Sequence, residues 1–306
     1  MPVKILITGG SGYKGVKLSQ ALLRLGHRVT NLDGFLYGYE PIFGLVPHKN
    51  YSVIKKDIRG LIKSDLAPYD VIYHLAGISS YPACEANPNA AQLINVNATR
   101  RLTKLLSPRQ LAIYASTTTF YGYSDEILDE DSKVNPISLY SITKYKAEQA
   151  VMQHPNAISL RFASLFGTSP RMRNDLMVHD FVHRAIADRS LVLFDPNSIR
   201  TFLHVDDAIR AYLMPLKHPK MKNQIFNVGD NRLNFSKTQL AQKIRKYVKF
   251  EIINSVLGDR DARDCTISYR KLHRLGFRAK VGIDQGIKEL IKVYSFYRPH
   301  SLLETV

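Results

Sequence analysis

One stretch near the start of the chain limits its fold more than any other. Val3 to Thr8 (VKILIT) is a short, mostly apolar run of β-favouring residues that ends at Gly9-Gly10-Ser11-Gly12-Tyr13-Lys14-Gly15. Val16, Leu18, Leu22, Leu23 and Leu25 then recur at helical spacing, so strand, glycine turn and helix follow one another. His27 to Leu32 predicts a second strand ending at Asp33, which closes a strand–helix–strand unit with its glycines at the first turn.

The alternation continues. Tyr51 to Ile54, Val71 to Leu75, Leu111 to Ala115 and Ile158 to Phe162 predict strands, with amphipathic helices over Ala90 to Leu106 and Ser138 to Met152. This rhythm is that of an α/β chain with a doubly wound, Rossmann-type parallel sheet and helices on both faces. After Gly167 it breaks, because Thr168 to Asn174 is polar and turn-like and the segments beyond are mixed. At roughly 150 residues per domain, 306 residues leave room for a sheet domain over 1–167 and a smaller, mainly substrate-binding domain over 168–306. Ile225 to Gly229 reads as a strand that returns to the main sheet, so a segment of about 200–230 belongs with the first domain.

Composition excludes several classes. Hydrophobic residues at 45% and charged residues at 23% are those of a folded globular chain, not a disordered or collagen-like one. Two distant cysteines, Cys84 and Cys265, cannot build a disulfide framework or a cysteine-based zinc site, and a reducing compartment is expected. The amino-terminal apolar run is far shorter than a signal-peptide core or a membrane span of ~20 residues, so the expectation is a cytoplasmic protein without a membrane partner. Forty-three Lys and Arg against 26 Asp and Glu give a net charge of +17, densest over Lys217 to Lys249 and Arg260 to Lys280. Such a surface draws anions of any kind, and a solvated basic face and a polyanion site both remain open.

Gly9, Gly12 and Gly15 form G-x-x-G-x-x-G, a spacing variant of the dinucleotide fingerprint. Glycines there let the backbone approach a pyrophosphate at a helix N-terminus. Eighteen residues after Gly15, Asp33 stands at a strand end, where a carboxylate accepts from both hydroxyls of an adenosine ribose and repels a 2′-phosphate. NAD is therefore expected over NADP.

Tyr140 and Lys144, four apart on a predicted helix, project from one face. A tyrosine near pKa ~10 is a poor base at neutral pH, but a neighbouring ammonium and a positive nicotinamide stabilise its phenolate. Tyr140 then takes the proton of a substrate hydroxyl while hydride leaves the same carbon.

Thr8 to Gly15, Asp57-Ile58, His74-Leu75-Ala76-Gly77, Asn95 to Thr99, Tyr140-x-x-x-Lys144 and Arg200-Thr201-Phe202-Leu203-His204-Val205-x-Asp207 resemble, in order, the motifs of the extended short-chain dehydrogenase/reductases, in the branch of NAD-dependent nucleotide-sugar epimerases and dehydratases. The resemblance spans nearly the whole chain. It implies cofactor contacts at Tyr13, Asp57, Ile58, Leu75, Ala76, Gly77, Asn95 and Ser116, with Lys144 on the nicotinamide ribose. Ala115 to Gly122 resembles the family's hydroxyl segment, which makes Thr117 the residue that orients the substrate oxygen with Tyr140. On the substrate side the resemblance implies Ser79, Ser80, Thr117 and Thr118 by the sugar, and Arg200 and Arg263, the latter in Asp261-Ala262-Arg263-Asp264, on the nucleotide diphosphate. Arg171 and Arg173, in Ser169-Pro170-Arg171-Met172-Arg173, are further substrate candidates, and a guanidinium fork suits phosphate.

The residues after Thr117 bear on the reaction. Relatives that dehydrate sugars carry Asp-Glu there, whereas this chain has Thr118-Thr119, and two hydroxyls cannot replace paired carboxylates in an elimination. The expected activity is NAD-dependent oxidation or reduction at a sugar hydroxyl, at C4, as a nucleotide-sugar 4-epimerase or 4-dehydrogenase of carbohydrate biosynthesis acting as a homodimer. The alternatives are a 4,6-dehydratase-like enzyme and a non-catalytic NAD-sensing or RNA-associated relative. The intact Thr117, Tyr140 and Lys144 and the lack of a concentrated basic arm argue against a nucleic-acid partner. His179-Asp180-x-x-His183 lacks the glutamate and the third ligand of a zinc helix, so no metal is expected.

Overall fold

The computed structural model describes residues 2–258 and 263–299, so Arg260, Asp261 and Ala262 of the patterns above lie outside it. Seven parallel strands form the central sheet in the spatial order Gln224–Val228, Ala157–Phe162, Leu111–Thr117, Val71–His74, Lys4–Thr8, Arg28–Asp33 and Tyr51–Lys55. The inner strands are buried on both faces, which accounts for their continuous apolar runs. The chain winds outward from Lys4–Thr8 to one side, then crosses and winds to the other, so the strand order reverses between Lys4–Thr8 and Val71–His74. The crevice beyond the carboxyl ends of two such strands is where open α/β sheets bind ligands.

The strand expected to return does so. Gln224–Val228 pairs in parallel with Ala157–Phe162 at the sheet edge. Leu111–Thr117 runs two residues past its apolar stretch, because Ser116 and Thr117 still pair with Arg161 and Phe162. Two apolar clusters lie about the central sheet, and a third, around Phe166, Val178, Phe202, Leu240 and Leu290, holds the later segments together. Those segments include a small sheet of Asn234–Ser236, Ile199–His204 and Ser164–Phe166 and the helix Met177–Ala187. Among the described residues no helix is long and apolar enough to cross a membrane.

The helix expected over Ala90 to Leu106 is not uniform. It opens at Pro88–Ala91 behind Asn87, whose side chain accepts from Ala90 N at 3.0 Å, then widens to a π-helix over Gln92–Ala98 before resuming as Thr99–Leu105. Apolar periodicity does not register such a widening, and π-turns inside helices are often found at functional sites.

The helix Leu139–Val151 starts at a Ser138–Ser141 cap, Ser138 Oγ accepting from Ser141 N at 3.2 Å and Ser141 Oγ from Ser138 N at 2.9 Å. Near its other end Glu148 is 1% exposed and accepts from Arg161 Nη2 at 2.7 Å, from Arg161 Nε with both carboxylate oxygens at 3.1 Å, and from Ser159 Oγ at 2.6 Å. This buried pair fixes the helix that carries Tyr140 and Lys144 to the strand beside the active crevice.

Candidate active site

The glycine turn is built by close approach. A Cβ on Gly9, whose φ is +74°, would stand 2.7 Å from Ala76 N, and one on Gly15 would stand 2.4 Å from Gly9 O. Only glycine lets the turn after Lys4–Thr8 pack on the turn after Val71–His74 and on itself. Gly12 differs: a Cβ there would meet nothing nearer than Gly9 O at 3.3 Å, and Gly12 faces the cavity with the first amides of the helix Tyr13–Arg24. Asp33 secures the turn from beneath, accepting from Ser11 N at 2.9 Å and Phe35 N at 2.8 Å. Burial raises its pKa against the opposing pull of those amides, and its remaining lone pairs are available to hydroxyl donors.

These groups open onto a cavity of about 700 Å³ at the switch point, the size of small-molecule sites. Its walls bring together Gly9, Gly12, Tyr13, Gly15, Asp33, Asp57, Ile58, Leu75, Ala76, Gly77 and Ser116 with Thr117 and Tyr140. Ser79, Ser80, Arg171, Arg173 and Arg263 also line it. Ser116 Oγ is buried and lacks a hydrogen-bond partner, and Arg171 Nε and Nη2 lack one too. Orphaned polar atoms of this kind in a cavity wall, together with the open face at Gly12, fit a polar, anionic dinucleotide. Asp57 is an exception in being half-exposed and ion-paired with Arg59 at 2.6 Å.

At the far end Tyr140 faces a hydroxyl relay. Arg263 Nη1 donates to Thr119 Oγ1 at 3.1 Å, Thr119 Oγ1 lies 2.6 Å from Thr117 Oγ1, and Thr119 N donates to Thr117 Oγ1 at 3.1 Å. With Arg263 donating to Thr119, the Thr119 hydroxyl hydrogen is free to point at Thr117, leaving the Thr117 hydrogen for Tyr140. Burial raises the Tyr140 pKa, and the Arg173 guanidinium, the Thr117 hydroxyl and Arg263 oppose it. Arg173 is held by Asp175 at 2.5 and 3.0 Å and donates to Ser79 O at 3.2 Å.

Four assigned residues do not line the cavity. Lys144 is buried, its Nζ donating to Ala115 O at 2.7 Å and sitting 4.1 Å from the Tyr114 ring centroid. Burial and the nearby Lys14 bring its pKa down to about 7, and Arg173 and Arg263 are cations that favour the Tyr140 phenolate. Asn95 lies within the π-helix and holds the turn instead of touching its contents. It accepts from Ile78 N at 2.8 Å and donates to Ile78 O at 3.0 Å and Thr143 Oγ1 at 3.2 Å. Thr118, assigned to substrate, turns away to donate to Phe162 O at 3.2 Å, and Thr119 takes the cavity position. Arg200 is buried and donates to the carbonyl of Arg263, thereby supporting it.

Two wall residues escaped the sequence reading. Lys14 sits inside the glycine turn, its Nζ 5.2 Å from the Phe162 ring centroid and 5.8 Å from that of Tyr212. Its partly buried position comes from Phe162 on a strand and Tyr212 on a helix, both distant in the chain. Tyr37 follows Asp33 by four residues in a loop without periodicity, and its ring lies 4.3 Å from the Arg171 guanidinium carbon.

His74 and His179 are engaged within the fold. His74 is buried between Thr8 Oγ1 at 2.7 Å and Thr99 Oγ1 at 2.8 Å, and burial lowers its pKa to about 3. His179 Nε2 accepts from Gly167 N at 3.0 Å, which occupies the lone pair a metal would need. Among the described residues no cluster of three His, Cys, Asp or Glu could hold a metal ion.

Comparison with known proteins gives a consistent result. The model of the NAD dependent epimerase/dehydratase family matches residues 5–229. A Bacillus subtilis protein described as an uncharacterized UDP-glucose epimerase is 29% identical over 250 residues, covering 74% of this chain and 77% of its own. UDP-glucuronate 4-epimerase 5 of Arabidopsis thaliana is 26% identical over 339 residues, covering 96% and 76%. Among solved structures, a UDP-glucuronic acid 4-epimerase from Bacillus cereus in complex with UDP-glucuronic acid and NAD superposes with a TM-score of 0.83 at 24% identity, covering 95% of this chain and 99% of that one.

Proposed function

The chain belongs to the NAD-dependent epimerase/dehydratase family, and on that premise we propose that it oxidises the C4 hydroxyl of a nucleotide-linked sugar to the ketone with NAD, and reduces that ketone again if it is a 4-epimerase rather than a 4-dehydrogenase. The observation that carries the reading is a single cavity with the glycine turn and Asp33 at one end and Thr117 and Tyr140 at the other. Bound NAD supplies a hydride acceptor at its nicotinamide. The Gly12 turn and the helix start behind it suit a diphosphate, and Asp33 suits two ribose hydroxyls. Tyr140 takes the hydroxyl proton, with Thr117 donating to the phenolate and Arg173 and Arg263 favouring the ionised form. Lys144 and Asn95 hold the strand end and the turn around the reacting groups.

Ser79, Ser80, Thr119, Arg173 and Arg263 are the wall residues we assign to the sugar nucleotide. A sheet domain of 1–167 with its returning segment, a substrate-binding domain of 168–306, a homodimer and a cytoplasmic setting belong to the same proposal; it includes neither a metal nor a nucleic acid. A dehydratase is less well supported, because Thr118 and Thr119 supply no carboxylate beside Thr117.

The experiment is to denature the purified protein and identify every small molecule it releases. NAD(H), and a nucleotide sugar with it, is the expected result. A protein that releases no NAD(H), and takes up none when it is added, refutes the proposal. Asp33 adds the expectation that NAD(H) binds more tightly than NADP(H) in a direct titration; equal affinities would remove its assignment.

A further inference from the structure

We propose that Arg171 clasps the diphosphate of the bound dinucleotide from the later half of the chain and keeps the cofactor in place through turnover. The inference rests on the NAD reading above and deepens it, since a 4-epimerase must return hydride from the same cofactor molecule that received it.

Arg171 is 3% exposed and lines the cavity. Its Nη1 donates to Met172 O at 2.9 Å, while Nε and Nη2 have no acceptor. A buried guanidinium with two unmet donors is costly until an anion arrives, and its planar edge matches phosphate oxygens. Asp175, the nearby carboxylate, is already engaged by Arg173 at 2.5 and 3.0 Å. The Tyr37 ring packs against the Arg171 guanidinium, whose carbon lies 4.3 Å from the ring centroid.

The position of Arg171 selects which anion. Residues 167–169 are stitched to the first turns of the helix Tyr13–Arg24 by Tyr13 Oη donating to Gly167 O at 2.7 Å, Ser169 Oγ to Tyr13 O at 2.7 Å and Lys17 Nζ to Thr168 O at 2.9 Å. Two residues on, Arg171 meets Tyr37, four residues past the ribose carboxylate Asp33. Arg171 is thus bracketed by the helix N-terminus that suits a diphosphate and the loop that suits the adenosine ribose, and in a dinucleotide these two groups are adjacent. Release of the cofactor then requires the 167–171 segment to let go.

A nucleotide sugar carries the same diphosphate chemistry, so the test separates the two. Binding of NADH, ADP-ribose and UDP is measured on the full chain and on Arg171→Leu and Arg171→Lys, with the NADH release rate followed by displacement. Loss of charge-assisted hydrogen bonds should weaken NADH and ADP-ribose about 10- to 100-fold in Arg171→Leu and speed NADH release in step. UDP affinity should be unchanged, which also shows the variant to be folded, and Arg171→Lys should fall between. If Arg171→Leu does not fold, Arg171→Lys decides, because loss of the fork alone must still weaken both adenine ligands. Unchanged NADH affinity, or a loss confined to UDP, overturns the proposal. An unmodified protein that binds neither NADH nor ADP-ribose refutes the NAD reading instead.

Discussion

Replacing Lys14 with methionine should make the cofactor-free protein more stable, against the usual direction of a substitution in a cavity wall. Among the described residues no carboxylate pairs with the Lys14 ammonium, which rests between the Phe162 and Tyr212 rings. Burial, and then Arg173, bring its pKa from 10.5 down to about 7. The folded protein therefore binds fewer protons than the unfolded chain between pH about 7 and 10.5, and its stability rises with pH across that window. At about 1.4 kcal/mol per decade the penalty is on the order of 4–5 kcal/mol below pH 7, and it vanishes as the pH reaches 10.5. Cation–π contacts worth roughly 0.5–1 kcal/mol each offset part of it, which leaves Lys14→Met about 3 kcal/mol more stable at neutral pH. Urea melts of both proteins, stripped of small molecules, across this pH range measure the gap. A gap that does not shrink as pH rises, or a variant no more stable than the parent at pH 7, would refute the reasoning.

Gly15→Ala places a methyl 2.4 Å from Gly9 O and 2.6 Å from Gly10 Cα, both backbone, so the turn must open. A loss of about 1–3 kcal/mol in thermal or urea unfolding is expected, along with weaker NADH binding; a neutral variant contradicts the packing described. Glu148→Ala leaves the Arg161 charge buried and should cost about 3–5 kcal/mol by urea unfolding, whereas Arg59→Ala, at an exposed pair, should stay within about 1 kcal/mol.

The sheet was legible because each inner strand is an apolar run and the glycine turn marks where the first of them stops. Asp33 and Tyr140 followed from a strand end and a helix face and Thr117 from the family resemblance, and all three line the cavity. What stayed hidden depends on which neighbour a side chain meets. Lys144 shares a helix face with Tyr140, yet its ammonium turns to the Ala115 carbonyl, a choice set by the strand packed beside the helix. Thr118 and Thr119 look equivalent in the sequence, but the end of the strand Leu111–Thr117 ties Thr118 to Phe162 and gives Thr119 to Arg263. Asn95 reaches the Gly77–Ile78 turn from a π-helix that a hydrophobic repeat does not encode. Lys14 was visible as a residue but not as a partly buried charge, since its aromatic neighbours Phe162 and Tyr212 lie about 150 and 200 positions away.

The most direct test of the proposed chemistry is single-turnover reduction of bound NAD by a panel of nucleotide sugars, followed at the NADH absorbance in the unmodified protein and in Tyr140→Phe. Phenylalanine keeps the ring and its packing and removes the ionisable oxygen, so folding and NADH affinity should survive. Hydride transfer should fall by about 10²–10⁴, the range for losing a general acid–base group. Reduction by Tyr140→Phe at the unmodified rate, with a sugar that the unmodified protein oxidises, would contradict the mechanism.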